Sequence, residues 1–99
     1  MAISVRVRTN TGETEGTSTH KALNALCELA STKKLSLLGC VDPYDDTTFN
    51  RAQLKLLIPE LEALAEDSNG DVADAARELL ALTALVDRKP HRYLIFIGD

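Results

Sequence analysis

The run Tyr93-Leu94-Ile95-Phe96-Ile97 limits the choice of fold more than any other stretch of the chain. It is short, rich in β-branched and aromatic residues, and closed off by Pro90 on one side and Gly98 on the other, which together specify a strand. Apolar side chains fall on both of its faces, so it is expected at the centre of a sheet. A segment near a chain end stays ordered only when it is tied into such a structure, and removing this one is expected to unfold the protein.

Its expected neighbour is the first strand, where Ile3, Val5 and Val7 alternate with Ser4, Arg6 and Arg8 in the period of two that marks one buried and one wet face. Thr9 to Thr19 holds two glycines and no large apolar residue, and reads as a long mobile loop, either solvated or used in binding. Ser18 or Thr19 then caps a helix running to about Ser31, with Leu23, Leu26, Cys27 and Ala30 on one face. Lys33 and Lys34 suit its negative end. Leu35 to Val41 is an apolar run of strand length.

Between Val41 and Asn50 the chain changes from strand-forming to helix-forming. Asp42 before Pro43 is disfavoured in the α region, so the preceding run should end there in a turn, with Tyr44, Asp45 and Asp46 as a polar tip. Asn50 and Gln53 have the spacing of a capping box, and Phe49 with Leu54 that of a hydrophobic staple, which starts a second helix at Arg51. This helix is expected to reach about Glu66 on a stripe of Leu54, Leu57, Leu61 and Leu64, and Pro59 inside it predicts a kink or a break. Asp67 to Gly70 is a turn, and Asp71 caps a third helix from Val72 to about Asp87 with a broad apolar face.

The element order β-α-(β)-α-α-β predicts an α+β fold, a two- or three-stranded sheet with the C-terminal strand central, packed against three helices. At 99 residues, 44% of them apolar, the chain supports one core, so residues 1–99 are expected to form a single domain. No apolar run approaches membrane-spanning length and no basic, apolar leader opens the sequence, which makes the cytoplasm the expected location and a membrane an unexpected partner. Cys27 and Cys40 lack metal-ligand spacing and read as two buried free thiols; a disulfide between them would require an oxidising compartment.

Charge is uneven along the chain. Residues 42–78 carry ten acidic and three basic side chains, a net of −7, between flanking segments at +2 and +1. Such a middle repels phosphate, and the Lys and Arg residues are not clustered, so nucleic acid is excluded as a direct partner and a basic protein is preferred. The acids of the two later helices, Glu60, Glu62, Glu66, Asp67, Asp71, Asp74 and Glu78, read equally as solvated faces and as a steering surface.

Asp42, Asp45 and Asp46 lack the alternation, central glycine and distal glutamate of an EF-hand, and turn and cap roles account for all three without a metal. His20 and His91 stand beside no nucleophile motif, and no dinucleotide, phosphate-loop or zinc signature occurs, so no cofactor and no enzymatic activity are expected. Tyr44 is an interface anchor if exposed and a lid over the helix start if folded inward.

The segment DPYDDTTFN, followed by a Leu-rich helix and the closing YLIFIGD, resembles a group of short uncharacterised bacterial proteins with a DPYxDTxFN-like stretch and a FIGD-like end. That resemblance covers about a third of the chain and implies no activity. In size, acidity and single-domain build the protein is also similar to small toxin-immunity proteins. Together these point to a non-catalytic immunity protein or antitoxin-like inhibitor of a basic partner. Asp42, Tyr44, Asp45, Asp46, Arg51, Glu60 and Glu62 are then the expected contact residues. The alternative is a self-associating structural or regulatory subunit, a homodimer completed by the third helix; less favoured is a metal-dependent enzyme using Asp45, Asp46 and a histidine.

Overall fold

A computed structural model describes residues 3–98 and shows an α+β fold with four strands and three helices. The strands are β1 (Ser4–Thr9), β2 (Thr14–Ser18), β3 (Thr47–Phe49) and β4 (Arg92–Ile97); the helices are α1 (Leu23–Thr32), α2 (Leu54–Asp67) and α3 (Gly70–Arg88). The sheet is antiparallel throughout, in the order β2-β1-β4-β3. β4 is therefore central and β1 is its neighbour, paired from Ser4 with Ile97 to Thr9 with Arg92, as its apolar composition requires.

Val5, Val7, Leu94 and Phe96 point to the helical side and are fully buried, and Phe49 of β3 meets Phe96 edge-on with ring centroids 5.7 Å apart. These residues form one cluster with the helix stripes, including Leu23, Leu26, Cys27 and Ala30 of α1 and Leu54, Leu57, Leu61 and Leu64 of α2. Both stripes lie on the buried faces that their spacing predicts. The opposite side of the sheet, with Arg6, Arg8, Tyr93, Ile95 and Ile97 half-buried on it, belongs to no part of this cluster.

Four local expectations are corrected. The segment after Thr9 is a hairpin, not a mobile loop: a turn at Gly12 (φ +93°) and a register shift between Val7 and Arg8 lead into β2. Its inward positions are Gly16 and Ser18, which carry no apolar signal. A methyl at Gly16 would sit 2.9 Å from Leu85 Cδ1 and 3.0 Å from Leu82 Cδ2, so α3 lies directly on that backbone. Ser18 is buried and donates to Glu78 Oε1 (2.5 Å).

Leu35 to Val41 forms no strand. Lys34 takes a left-handed conformation (φ 56°), and the amides of Lys34 and Leu35 return to Ser31 O and Ala30 O, a Schellman stop to α1. The chain then folds into a 3₁₀ turn at Leu38–Cys40. The third correction is β3, whose two threonines hid it within an apparently polar approach to the second helix.

Helix limits also move. α1 begins at Leu23, because His20 Nδ1 accepts from the Ala22 amide and the residues before it form a turn. The Asn50 and Gln53 side chains do bond reciprocally to each other's amides (2.9 and 2.8 Å), but residues 51–53 form a turn and regular α2 starts at Leu54. α2 crosses Pro59 without dividing. The opening i→i−3 bonds of Leu54, Lys55 and Leu56 precede the proline, whose missing N–H removes one intrahelical bond. α3 starts at Gly70 with Asp71 in its first turn, and Asn69, not Asp71, stands at the cap position. No helix among the described residues is long and apolar enough to cross a membrane.

Candidate functional site

The tip between Val41 and β3 is built by its own aspartates. Asp42 Oδ1 accepts from the Tyr44 amide (2.8 Å), the Asp42 amide donates to Thr47 Oγ1 (3.0 Å), and Asp45 Oδ1 accepts from the Asp46 amide (2.8 Å). The Asp42 and Asp45 carboxylates thus bond to amides just after them, a local role that suits aspartate in a turn, while the Asp46 carboxylate takes part in none of these bonds.

The tip is also held from β4. The Gly98 amide donates to Asp45 O (3.1 Å), which continues the β3–β4 register two residues beyond the pair of Thr47 and Phe96. A methyl at Gly98 would lie 2.4 Å from Asp45 N, 2.6 Å from Asp45 O and 2.8 Å from Pro43 C. Only a glycine admits this approach. The DPYDDTTFN segment and the closing strand are thus in contact in space.

Tyr44 projects from this frame with 70% of its surface exposed, so the ring is not a lid over the start of α2. Asp42, Asp45 and Asp46 are exposed around it, and among the described residues none of the three forms an ion pair.

The other expected contact residues divide. Arg51 is exposed and pairs with Asp87 (3.2 Å), on the far end of the α2–α3 hairpin from its turn. Glu62 is exposed on α2. Glu60 is half-buried, and its carboxylate accepts from the amides of Leu37 (3.1 Å) and Leu38 (2.9 Å). It holds the 3₁₀ turn in place, which corrects its assignment to a partner surface. A carboxylate 22 or 23 residues away from the amides it binds gave no local pattern to recognise.

Much of the helical acidity is likewise committed within the chain. Asp67 meets Lys33 (3.9 Å), Asp71 meets Lys21 (3.4 Å), Asp74 meets Arg77 (3.0 Å) and Glu78 accepts from Ser18. The exposed pairs contribute little stability, at most about 1 kcal/mol each, but they cancel charge. Within the acidic segment 42–78, Asp42, Asp45, Asp46, Glu62 and Glu66 are left without ion pairs or hydrogen bonds to other side chains among the described residues, and three of these five stand at the tip; outside that segment Glu13 and Glu28 are likewise unpaired.

Beside the tip, a cleft of about 230 Å³ opens between α1 and the Pro43–Tyr44 turn. Ile3, Cys27 and Val41 supply apolar walls, and Asn24, Glu28 and Ser31 supply polar ones. Burial pushes the Cys27 thiol up to about 12, so it is neutral at ordinary pH. Cys40 is exposed, contrary to the expectation of two buried thiols, and its Sγ–H donates to Ser36 O within the 3₁₀ turn; both cysteines are free.

His20 is engaged at the start of α1 and His91 is exposed ahead of β4. Neither approaches the tip aspartates through a hydrogen bond or an ion pair, and no group of three or more His, Cys, Asp or Glu among the described residues is arranged to hold a metal. No family model, curated protein or solved structure matches the chain.

Proposed function

We propose that this protein is a non-catalytic binding module that docks a basic protein through the Asp42–Asp46 tip, in the manner of an immunity protein or antitoxin-like inhibitor. The observation that carries the reading is the exposed Tyr44 ring, set among three carboxylates without ion-pair partners on a turn braced by its own side chains and by Gly98. An exposed aromatic on a rigid support loses little entropy on binding, and tyrosine is enriched at interface hot spots. Carboxylates around it orient a basic surface and accelerate its approach. Glu62 and Glu66 extend the same sign of charge along α2.

A second reading, self-association, draws support from a different surface than the sequence suggested. Ala75, Ala76, Leu79 and Val86 of α3 are fully buried within the chain, so that helix face is already covered. Half-buried Tyr93, Ile95 and Ile97 on the open side of the sheet, and separately the exposed Leu56 of α2, are apolar residues available to a second copy. Light scattering separates the two readings: a concentration-independent monomer removes the second.

The first is tested by capturing partners of the tagged protein from a lysate of its source cells at low and moderate salt. A basic protein should be retained at low salt, lost as salt rises, and lost at all salts from Asp45→Lys with Asp46→Lys, whose thermal unfolding should match the parent. Capture that is indifferent to this charge reversal overturns the docking role of the tip.

A further inference from the structure

We propose that the cleft between α1 and the Pro43–Tyr44 turn receives a single arginine side chain of the partner, its stem on Ile3, Cys27 and Val41 and its guanidinium at the Glu28 carboxylate. This rests on the reading of the tip as a docking site and names what enters beside it.

Size is the first argument. At about 230 Å³ the cleft is smaller than the roughly 300–1,000 Å³ typical of small-molecule sites, and is suited to one long side chain. Wall chemistry is the second. Three apolar side chains form a surface on which an aliphatic stem is desolvated favourably, while a charged head needs an acceptor at the mouth.

Glu28 supplies that acceptor. It is exposed on α1 and lines the cleft, and among the described residues its carboxylate has no hydrogen bond or ion pair. The neighbouring Asn24 is different, since its Oδ1 is already taken by the Ile3 amide (2.9 Å). No basic residue lines the cleft, Glu28 is its one charged lining residue, and Asp42 stands in the chain between the lining residues Val41 and Pro43. A cation is therefore favoured over a neutral or acidic side chain.

Tyr44 decides between the two basic residues. Tyr44 is one of the lining residues and its exposed side chain is free to meet a bound group, and a planar guanidinium can stack on a ring while forking onto a carboxylate, which a lysine ammonium cannot do.

The test is an NMR titration of the ¹⁵N-labelled full chain with acetyl-Gly-Arg-Gly-amide, and with the citrulline peptide, which keeps the shape and lacks the charge. Expected are weak, saturable shifts confined to the amides of Asn24, Cys27, Glu28, Val41 and Tyr44. Binding should fall by about tenfold with citrulline and by about tenfold in Glu28→Gln, the effect of losing one charge-assisted hydrogen bond. Shifts scattered over Glu62, Glu66 and the other surface acids, or equal binding of citrulline, overturn the proposal; equal binding of a third probe, acetyl-Gly-Lys-Gly-amide, overturns the choice of arginine. If peptide binding fails while partner capture still depends on Asp45 and Asp46, the cleft assignment alone falls. If the peptide binds while capture ignores the tip, the arginine site stands and the docking role of the tip falls.

Discussion

Replacing Gly98 by alanine opposes two effects of different sign. Its φ is not in the left-handed region, so alanine fits the backbone there and, by restricting the unfolded chain, should stabilise the protein by about 0.4 to 1 kcal/mol. Contact predicts the reverse. The new methyl falls 2.4 Å from Asp45 N, 2.6 Å from Asp45 O and 2.8 Å from Pro43 C, all backbone atoms that no rotamer change can move aside. The tip must then leave β4, which loses the Gly98–Asp45 hydrogen bond at about 1 kcal/mol and disturbs packed neighbours at about 1 kcal/mol or more. The net destabilisation is about 1 to 2 kcal/mol, a fall in Tm of about 4 to 16 °C for a domain of this size. Calorimetry of the variant measures it, and amide exchange at Asp42 and at residues 44 to 46 should quicken together with the fall. An unchanged or raised Tm would refute the contact argument, because it would mean the entropy term alone operates and the tip is not held by β4.

Two further substitutions probe the frame and the thiols. Lys34→Gly should raise Tm by a few degrees in thermal melts, because Lys34 closes α1 at φ 56° while its side chain is exposed, and glycine removes a left-handed penalty of about 1 to 2 kcal/mol that outweighs the roughly 0.4 to 1 kcal/mol of unfolded-chain entropy it adds. Thiol titration at pH 8 should find Cys40 reacting promptly and Cys27 only after denaturation. For Cys27, whose folded value is raised from 9.0 to about 12, the unfolded chain loses its proton first; the stability linked to it is whole below pH 9 and declines as pH rises towards 12. A Cys27→Ser variant should flatten that part of the stability profile, and an unaltered alkaline slope would assign it to other groups.

The sheet's centre and most of its helical cover were legible because their signals are local. Leu94 and Phe96 belong to a run whose composition admits little but a buried strand, and the α1 stripe repeats at helical spacing. Asn50 and Gln53 advertise their reciprocal bonds in a four-residue window. What escaped depends on distant partners. Gly16 and Ser18 are inward-facing because α3 lies over them, and no neighbour in sequence says so. Leu35 to Val41 has the composition of a strand, but Lys34 turns the chain and Glu60 takes two of its amides. At the site, the aspartates and Tyr44 were visible as a tip, whereas the clamp by Gly98 and the cleft beside Glu28 arise only when β4 and α1 are brought to it.

The pairing of β1 with β4 also governs how fast the chain can reach this state. Residues at opposite ends of the sequence, from Ser4 with Ile97 to Thr9 with Arg92, join at the middle of the sheet, while the β1–β2 and α2–α3 hairpins close over short distances. Closing the long loop is an entropic cost that precedes its reward, which slows folding relative to a helical bundle of equal length. During synthesis β4 is the last strand to appear, and until it does Val5 and Val7 lack the central strand that covers them in the sheet. Synthesis rate and chaperone supply therefore bear on the yield of this protein as directly as its equilibrium stability does.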